Sequence, residues 1–370
     1  MYQKKKELAV ILSFFLVLCG LSLSGMILPD QEVSKSERRK LAAFPKLTYE
    51  SLQNGNFGKQ FETYSLDQFI WRDVFRSLKA RELVTVLRQK DNNGYYAVNG
   101  SVYSMEYPVN EKKVIRAAEL FVKVKEELFE NANVYFSIIP DKSHYVEEDS
   151  GYPSVSYKQM NALMQEQMKD VKQIEIENLL DTKNYYYTDL HWKQETIVPV
   201  AEKLIQEMGV EDKWLQSLQE NLVFENFYGG WQKQYALPAK VDELVCMSSP
   251  WMEQLKVYDY ETQSESSVYH PEKFCGMDGY DVYLAGARAL LTIENPENRN
   301  GKQLILFRDS FGSSIAPILA GSYEKITLVD LRYFSPELLS EYITVKEGDD
   351  VLFLYNTFFL NNSDSLKFYA

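Results

Sequence analysis

Three short runs near the C-terminus do most to limit the fold: QLILF at 303–307, KITLVD at 325–330 and DVLFLYN at 350–356. Each has the length of a strand and is dominated by apolar, β-branched and aromatic residues. Strands of this kind are buried on both faces, as in a parallel sheet covered by helices. The segments between them are long enough to carry crossover helices. A fourth run, NVYFSIIP at 133–140, is closed by Pro140 and follows a helical pattern over 111–131. The expected body is therefore an α/β domain with a mostly parallel central sheet flanked by helices. Upstream, GYYAVNGSVYSME at 94–106 places two aromatic, β-branched runs around Asn99-Gly100, which predicts a hairpin. Over 64–88 apolar residues recur at three and four, the period of amphipathic helices.

Composition removes several function classes. With 370 residues, 45% hydrophobic and 14% aromatic, the chain can bury a large core and is not disordered. A formal charge of -13 repels phosphate surfaces and argues against a nucleic-acid partner. The three histidines lie in unrelated segments without metal-ligand spacing, so neither a metal nor another cofactor is expected.

At the N-terminus, Lys4, Lys5 and Lys6 precede an apolar run over 8–28. This predicts a cytoplasmic tail at 1–6, a transmembrane helix at 7–28, a tether at 29–60 and an extracytoplasmic domain at 61–370. Lys35, Arg38, Arg39 and Lys40 beyond the run weaken the charge asymmetry. A cleaved signal peptide ending at Ser22-Leu23-Ser24 is the alternative, and gives a secreted domain. Beyond Cys19, Cys246 and Cys275 are either a disulfide or free thiols.

Two stretches carry chemistry. QLILF runs into Arg308-Asp309-Ser310-Phe311-Gly312 and then SSIAPILAG, so Ser310 falls at a strand-to-helix turn on the carboxyl edge of the sheet. A serine there can present its hydroxyl beside free backbone N–H groups, although Asp and Ser are equally favoured as helix caps. The second stretch is YYYTDLHWKQ at 185–194. Asp189 can orient the His191 ring while the other ring nitrogen takes a proton from a serine; alternatively, Thr188 or Asp189 caps a following helix. Together they supply a nucleophile and a base, in an acceptable triad order. Asp141-Lys142, after NVYFSIIP, is placed to touch substrate at the sheet edge, but reads first as a solvated strand end.

These residues resemble the DHHW family of Gram-positive surface proteins, related to SGNH-type alginate O-acetyltransferases. The family's Asp-His-His-Trp motif stands here as Asp189-Leu190-His191-Trp192. ERRKLAAFP at 37–45, DQFIWRDVF at 67–75, FYGG at 227–230 and the block from 290 to 334 match other family segments in order. The resemblance implies an SGNH-hydrolase-like, flavodoxin-like permuted fold and acyl-ester chemistry on a cell-envelope glycan. Ser310 is then the nucleophile, His191 the base and acid, and Asp189 the orienting carboxylate. It also implies oxyanion donors at Gly286 and, more weakly, Gly229, although Leu284-Ala285-Gly286-Ala287 lacks the Asn that often follows in the family. Trp192, Trp231 and Tyr187 are candidates to stack on sugar rings. A multispanning membrane acyltransferase is a possible acyl donor. The competing reading is a catalytically inactive envelope protein of the same fold that binds glycan or a partner.

Overall fold

The computed structural model describes residues 2–34, 37, 39–146 and 150–367. The chain divides into two compact units: Met1–Asn92 with Lys233–Leu237, and Asn93–Gln232 with Pro238–Ala370.

The first unit is helical. Helix Tyr2–Ile27 covers the expected anchor. Among the described residues no helix is long and apolar enough to cross a membrane, so the expected transmembrane helix at 7–28 is not supported. Lys35 and Arg38 lie outside the described residues. The amphipathic stretch over 64–88 is not one helix: Asn56–Asp67 ends before Trp71, which takes a left-handed conformation (φ 55°), and Arg72–Arg81 follows. The segments 37–45 and 67–75 meet through buried Asp67, which accepts from the Arg39 guanidinium and from the Ala42 N–H (2.9 Å).

The second unit is built on eight strands: β1 Asn133–Ile139, β2 Lys172–Gln173, β3 Lys256–Asp259, β4 Ser264–Ser266, β5 Leu290–Glu294, β6 Gln303–Arg308, β7 Lys325–Val329 and β8 Asp350–Asn356. Their spatial order is β4-β3-β5-β7-β6-β8-β1-β2. Strands β7, β6, β8, β1 and β2 are parallel, while β5, β3 and β4 extend the β7 edge antiparallel.

Because the middles of β6 (304–307) and β8 (351–354) are apolar on both faces, they feed two cores. Leu304, Leu306, Leu352 and Leu354 pack on one side with helices Val198–Glu207 and Gly312–Leu319. Ile305, Phe307, Val351 and Phe353 pack on the other with helices Glu111–Leu128 and Tyr157–Gln167. Burial on both faces is the arrangement that favours parallel strands.

The hairpin forms as expected: Tyr95–Val98 pairs with Ser101–Ser104, and Asn99 (φ 52°) and Gly100 (φ 83°) take the two left-handed positions of its turn. A second hairpin, Gln219–Phe227 with Asp242–Ser248, carries Asp242. Cys246 and Cys275 are free thiols, the first buried and the second exposed.

Candidate active site

Strand β6 ends at Arg308, and helix Gly312–Leu319 begins four residues later. The turn between them is held by Asp309, whose carboxylate accepts from Phe311 N–H (2.9 Å) and from Asn356 N–H at the end of β8 (2.7 Å). Burial pushes the Asp309 carboxyl up to about 6, against the pull of these N–H donors and Arg332. Gly312 is required by packing, since a Cβ there would lie 2.9 Å from Arg308 Cγ. The turn leaves Ser310 half-buried at the carboxyl edge of the sheet. Ser313 and Ser314 occupy the first helical turn.

The segment around His191 is a closed loop rather than a helix start. Tyr185 and Trp192 form an antiparallel bridge, Tyr186 N–H donates to His191 O (3.1 Å), and Lys193 N–H donates to Asn184 O (2.7 Å). Buried Asp242 braces its tip, accepting from the Tyr187 and Thr188 N–H groups (both 2.8 Å) and the Thr188 hydroxyl (2.6 Å).

The loop brings the predicted residues together. Ser310 Oγ lies 2.8 Å from His191 Nε2, across 119 residues of sequence. His191 Nδ1 lies 2.6 Å from Asp189 Oδ1. A carboxylate next to Nδ1 places the ring proton there and leaves Nε2 to accept from the serine hydroxyl. Asp189 is fully buried and its oxygens are otherwise engaged: Oδ1 accepts from Leu190 N–H (2.8 Å) and Oδ2 from Gly230 N–H (2.7 Å). A fixed carboxylate, an oriented imidazole and a half-exposed hydroxyl in one line can activate an oxygen nucleophile.

Other expectations need correction. Gly286 sits at φ 89°, but its N–H donates to Tyr283 O (3.1 Å) and a Cβ would collide with the Asp281 carboxylate. Gly229 N–H donates to the Thr188 hydroxyl (2.9 Å), and a Cβ there would collide with Asp189. Both glycines serve close packing, and neither has a free N–H for an oxyanion. The Ser310 N–H, by contrast, has no partner among the described residues.

Trp192 is 0% exposed, with its indole N–H donating to Ser314 Oγ (2.8 Å) and Phe311 O (3.2 Å), so it cannot stack on a sugar. Trp231 is also buried. Tyr187 carries the ammonium groups of Lys193 and Lys240 over its ring at 4.9 and 5.0 Å, which a stacking sugar would have to displace.

Lys142 is not a solvated strand end. It is 1% exposed, and its ammonium donates to the carbonyls of Tyr186 (2.7 Å) and Tyr187 (3.2 Å) below the loop. Burial pulls it down to about 8, opposed by Asp242, Asp141 and Asp189. Sequence reasoning also missed Gly230, for which the paired glycines of FYGG were a signal, and Tyr280, one of 26 tyrosines with no distinguishing local pattern.

No family model matches the chain, and no curated protein matches it. Solved structures do. The chain is similar to a DHHW family protein from Eubacterium siraeum, with a TM-score of 0.60 at 21% identity over 74% of this chain and 95% of that one. It is also similar to Bacillus cereus PatB1 carrying a sulfonyl adduct (TM-score 0.60, 16% identity, 75% and 97% covered). A second PatB1 structure gives a TM-score of 0.56 at 17% identity over 74% and 99%. These likenesses are of fold, and they meet the DHHW resemblance carried by 188–192 and the segments around it.

Proposed function

We propose that this protein is a serine-dependent O-acyl transferase or esterase acting on a cell-envelope carbohydrate, with an SGNH-like sheet whose nucleophile block comes late in the chain. The observation that carries the reading is the line of hydrogen bonds Asp189–His191–Ser310, at 2.6 and 2.8 Å. The sulfonyl adduct named for PatB1 supports it, as the kind of modification an activated nucleophile takes.

In this mechanism Ser310 Oγ attacks the acyl carbon while its proton passes to His191 Nε2, and the Asp189 carboxylate faces the resulting imidazolium. The Ser310 N–H is the available donor to the oxyanion. His191 then returns the proton to the departing oxygen, leaving an acyl-serine. Water or a sugar hydroxyl gives a proton to His191, attacks that ester and regenerates Ser310. We assign the reaction to the extracytoplasmic side, from the Lys4–Lys6 cluster and the apolar 8–28 run, with a membrane acyltransferase as one source of acyl groups.

One observation favours a silent, glycan-binding relative: Ala287 stands where the family often has Asn, and the N–H groups of Gly286 and Gly229 are already committed. Hydrolysis of p-nitrophenyl acetate separates the readings. Wild type should turn over, with Ser310→Ala and His191→Ala falling to background at matched circular dichroism. Equal background rates in all three, together with no labelling of Ser310 by a sulfonyl fluoride, would overturn the enzyme reading.

A further inference from the structure

We propose that Tyr280 is a positioning residue that clamps the His191 imidazole and favours its protonated state during acyl transfer; this rests on the triad reading above. Tyr280 lies in the short turn Gly279–Val282, whose start is capped by Asp278 accepting from Tyr280 N–H (3.0 Å). Its ring stacks on His191 with centroids 3.7 Å apart and planes 6° apart. Phe311 approaches the imidazole at 4.9 Å with its plane tilted by 52°.

The phenol cannot turn freely within this stack. Its hydroxyl donates to Ser314 Oγ (2.7 Å), which also accepts the Trp192 indole N–H (2.8 Å). Ser314 belongs to the helix that follows the nucleophile, and Trp192 adjoins the base. One hydroxyl therefore joins three segments that meet only in the folded chain.

His191 is 3% exposed, so water contributes little when the ring gains a proton from Ser310. Asp189 meets that charge at the ring edge, through Nδ1. A phenol face over an imidazolium adds a cation–π attraction that is largely absent with neutral imidazole. The contact is thus stronger in the transition state than in the resting site, which is the condition for raising kcat. Other charged groups act on Tyr280: Asp309 from the turn after β6 and Asp278 from the start of its own turn, while Lys142, from the turn after β1, acts on Asp189. Among the described residues, Asp189 is the charged group hydrogen-bonded to the ring.

The test compares Tyr280→Leu and Tyr280→Phe in the full chain, using p-nitrophenyl acetate kinetics across pH and an NMR titration of the imidazole signals, with His191 assigned through His191→Ala. In Tyr280→Leu, kcat should fall roughly five- to thirtyfold with KM within about twofold. The acid limb of the rate profile and the His191 titration midpoint should both move to lower pH by roughly 0.5–1.5 units, because the imidazolium has lost its favourable face. Tyr280→Phe keeps the ring and should restore kcat to within about threefold of wild type. A Leu variant with an unmoved midpoint, or a Phe variant that shares the whole loss, would overturn the proposal. Should wild type lack Ser310-dependent hydrolysis, the acyl-transfer reading fails on its own, and the NMR midpoint still decides the Tyr280 contact.

Discussion

Every oxygen of the Asp189 carboxylate is asked to accept: Oδ1 from His191 Nδ1 and Leu190 N–H, Oδ2 from Gly230 N–H. An amide cannot meet that demand, because one end would point N–H donors at another N–H. Asp189→Asn therefore either opposes Gly230 or turns the imidazole to the tautomer whose Nε2 carries the proton, which cannot take one from Ser310. A fall in kcat of about 10³–10⁴-fold at unchanged fold is expected, measured as ester hydrolysis alongside far-UV circular dichroism. A loss smaller than about tenfold would remove orientation as the role of Asp189. Local pattern made this residue legible, because Asp-x-His places both side chains in one short loop. It could not reveal Gly230, whose N–H arrives from 41 residues away.

At the scale of elements, the 184–193 loop depends on groups brought by others. Asp242 comes from the second hairpin and Lys142 from the turn after β1; the two meet the loop from opposite chemistry, one accepting its N–H groups and the other donating to its carbonyls. Lys142→Met keeps the apolar stem but removes the donor. Tyr187 O retains the Val102 N–H (2.7 Å), whereas Tyr186 O loses its Lys142 hydrogen bond. Unfolding in urea should show a loss of about 1.5–3 kcal/mol, with a parallel drop in turnover because the loop carries His191. Unchanged stability would mean that the carbonyls find water in the variant. The sequence around Asp141-Lys142 reads as a solvated strand end because charge at the end of a strand is normally wet. The fold instead covers it, with Tyr103 and Trp231 at 5.1 and 4.8 Å from the ammonium.

For the molecule as a whole, one buried carboxyl should set part of the pH dependence of stability. Burial raises Glu195 to about 7 from an ordinary 4.5, with Glu220 and Asp242 adding to the rise and Lys193 opposing it. The folded protein therefore holds this proton where the unfolded chain has released it. The associated stability is fully present below about pH 4.5 and is lost as pH rises through about 7. Glu195→Gln is neutral throughout, so its Tm relative to wild type should climb between pH 5 and pH 8.5. A constant difference across that range would show that the carboxyl is solvated.

The apolar runs of β6, β7, β8 and β1 determined a mostly parallel sheet from sequence alone, because a strand without a polar face has few places to go. The Asn99-Gly100 hairpin was equally local, since two left-handed positions in succession call for those residues. Asp189, His191 and Ser310 were legible for a related reason: the first two stand two residues apart, and the serine sits where an apolar strand run turns into a helix. Tertiary structure alone decided the antiparallel edge of β5, β3 and β4, the burial of Trp192 and Lys142, the committed N–H groups of Gly229 and Gly286, and the stack of Tyr280 on His191. Each depends on which distant segment arrives at a given surface, and neither side-chain type nor periodicity records that arrival.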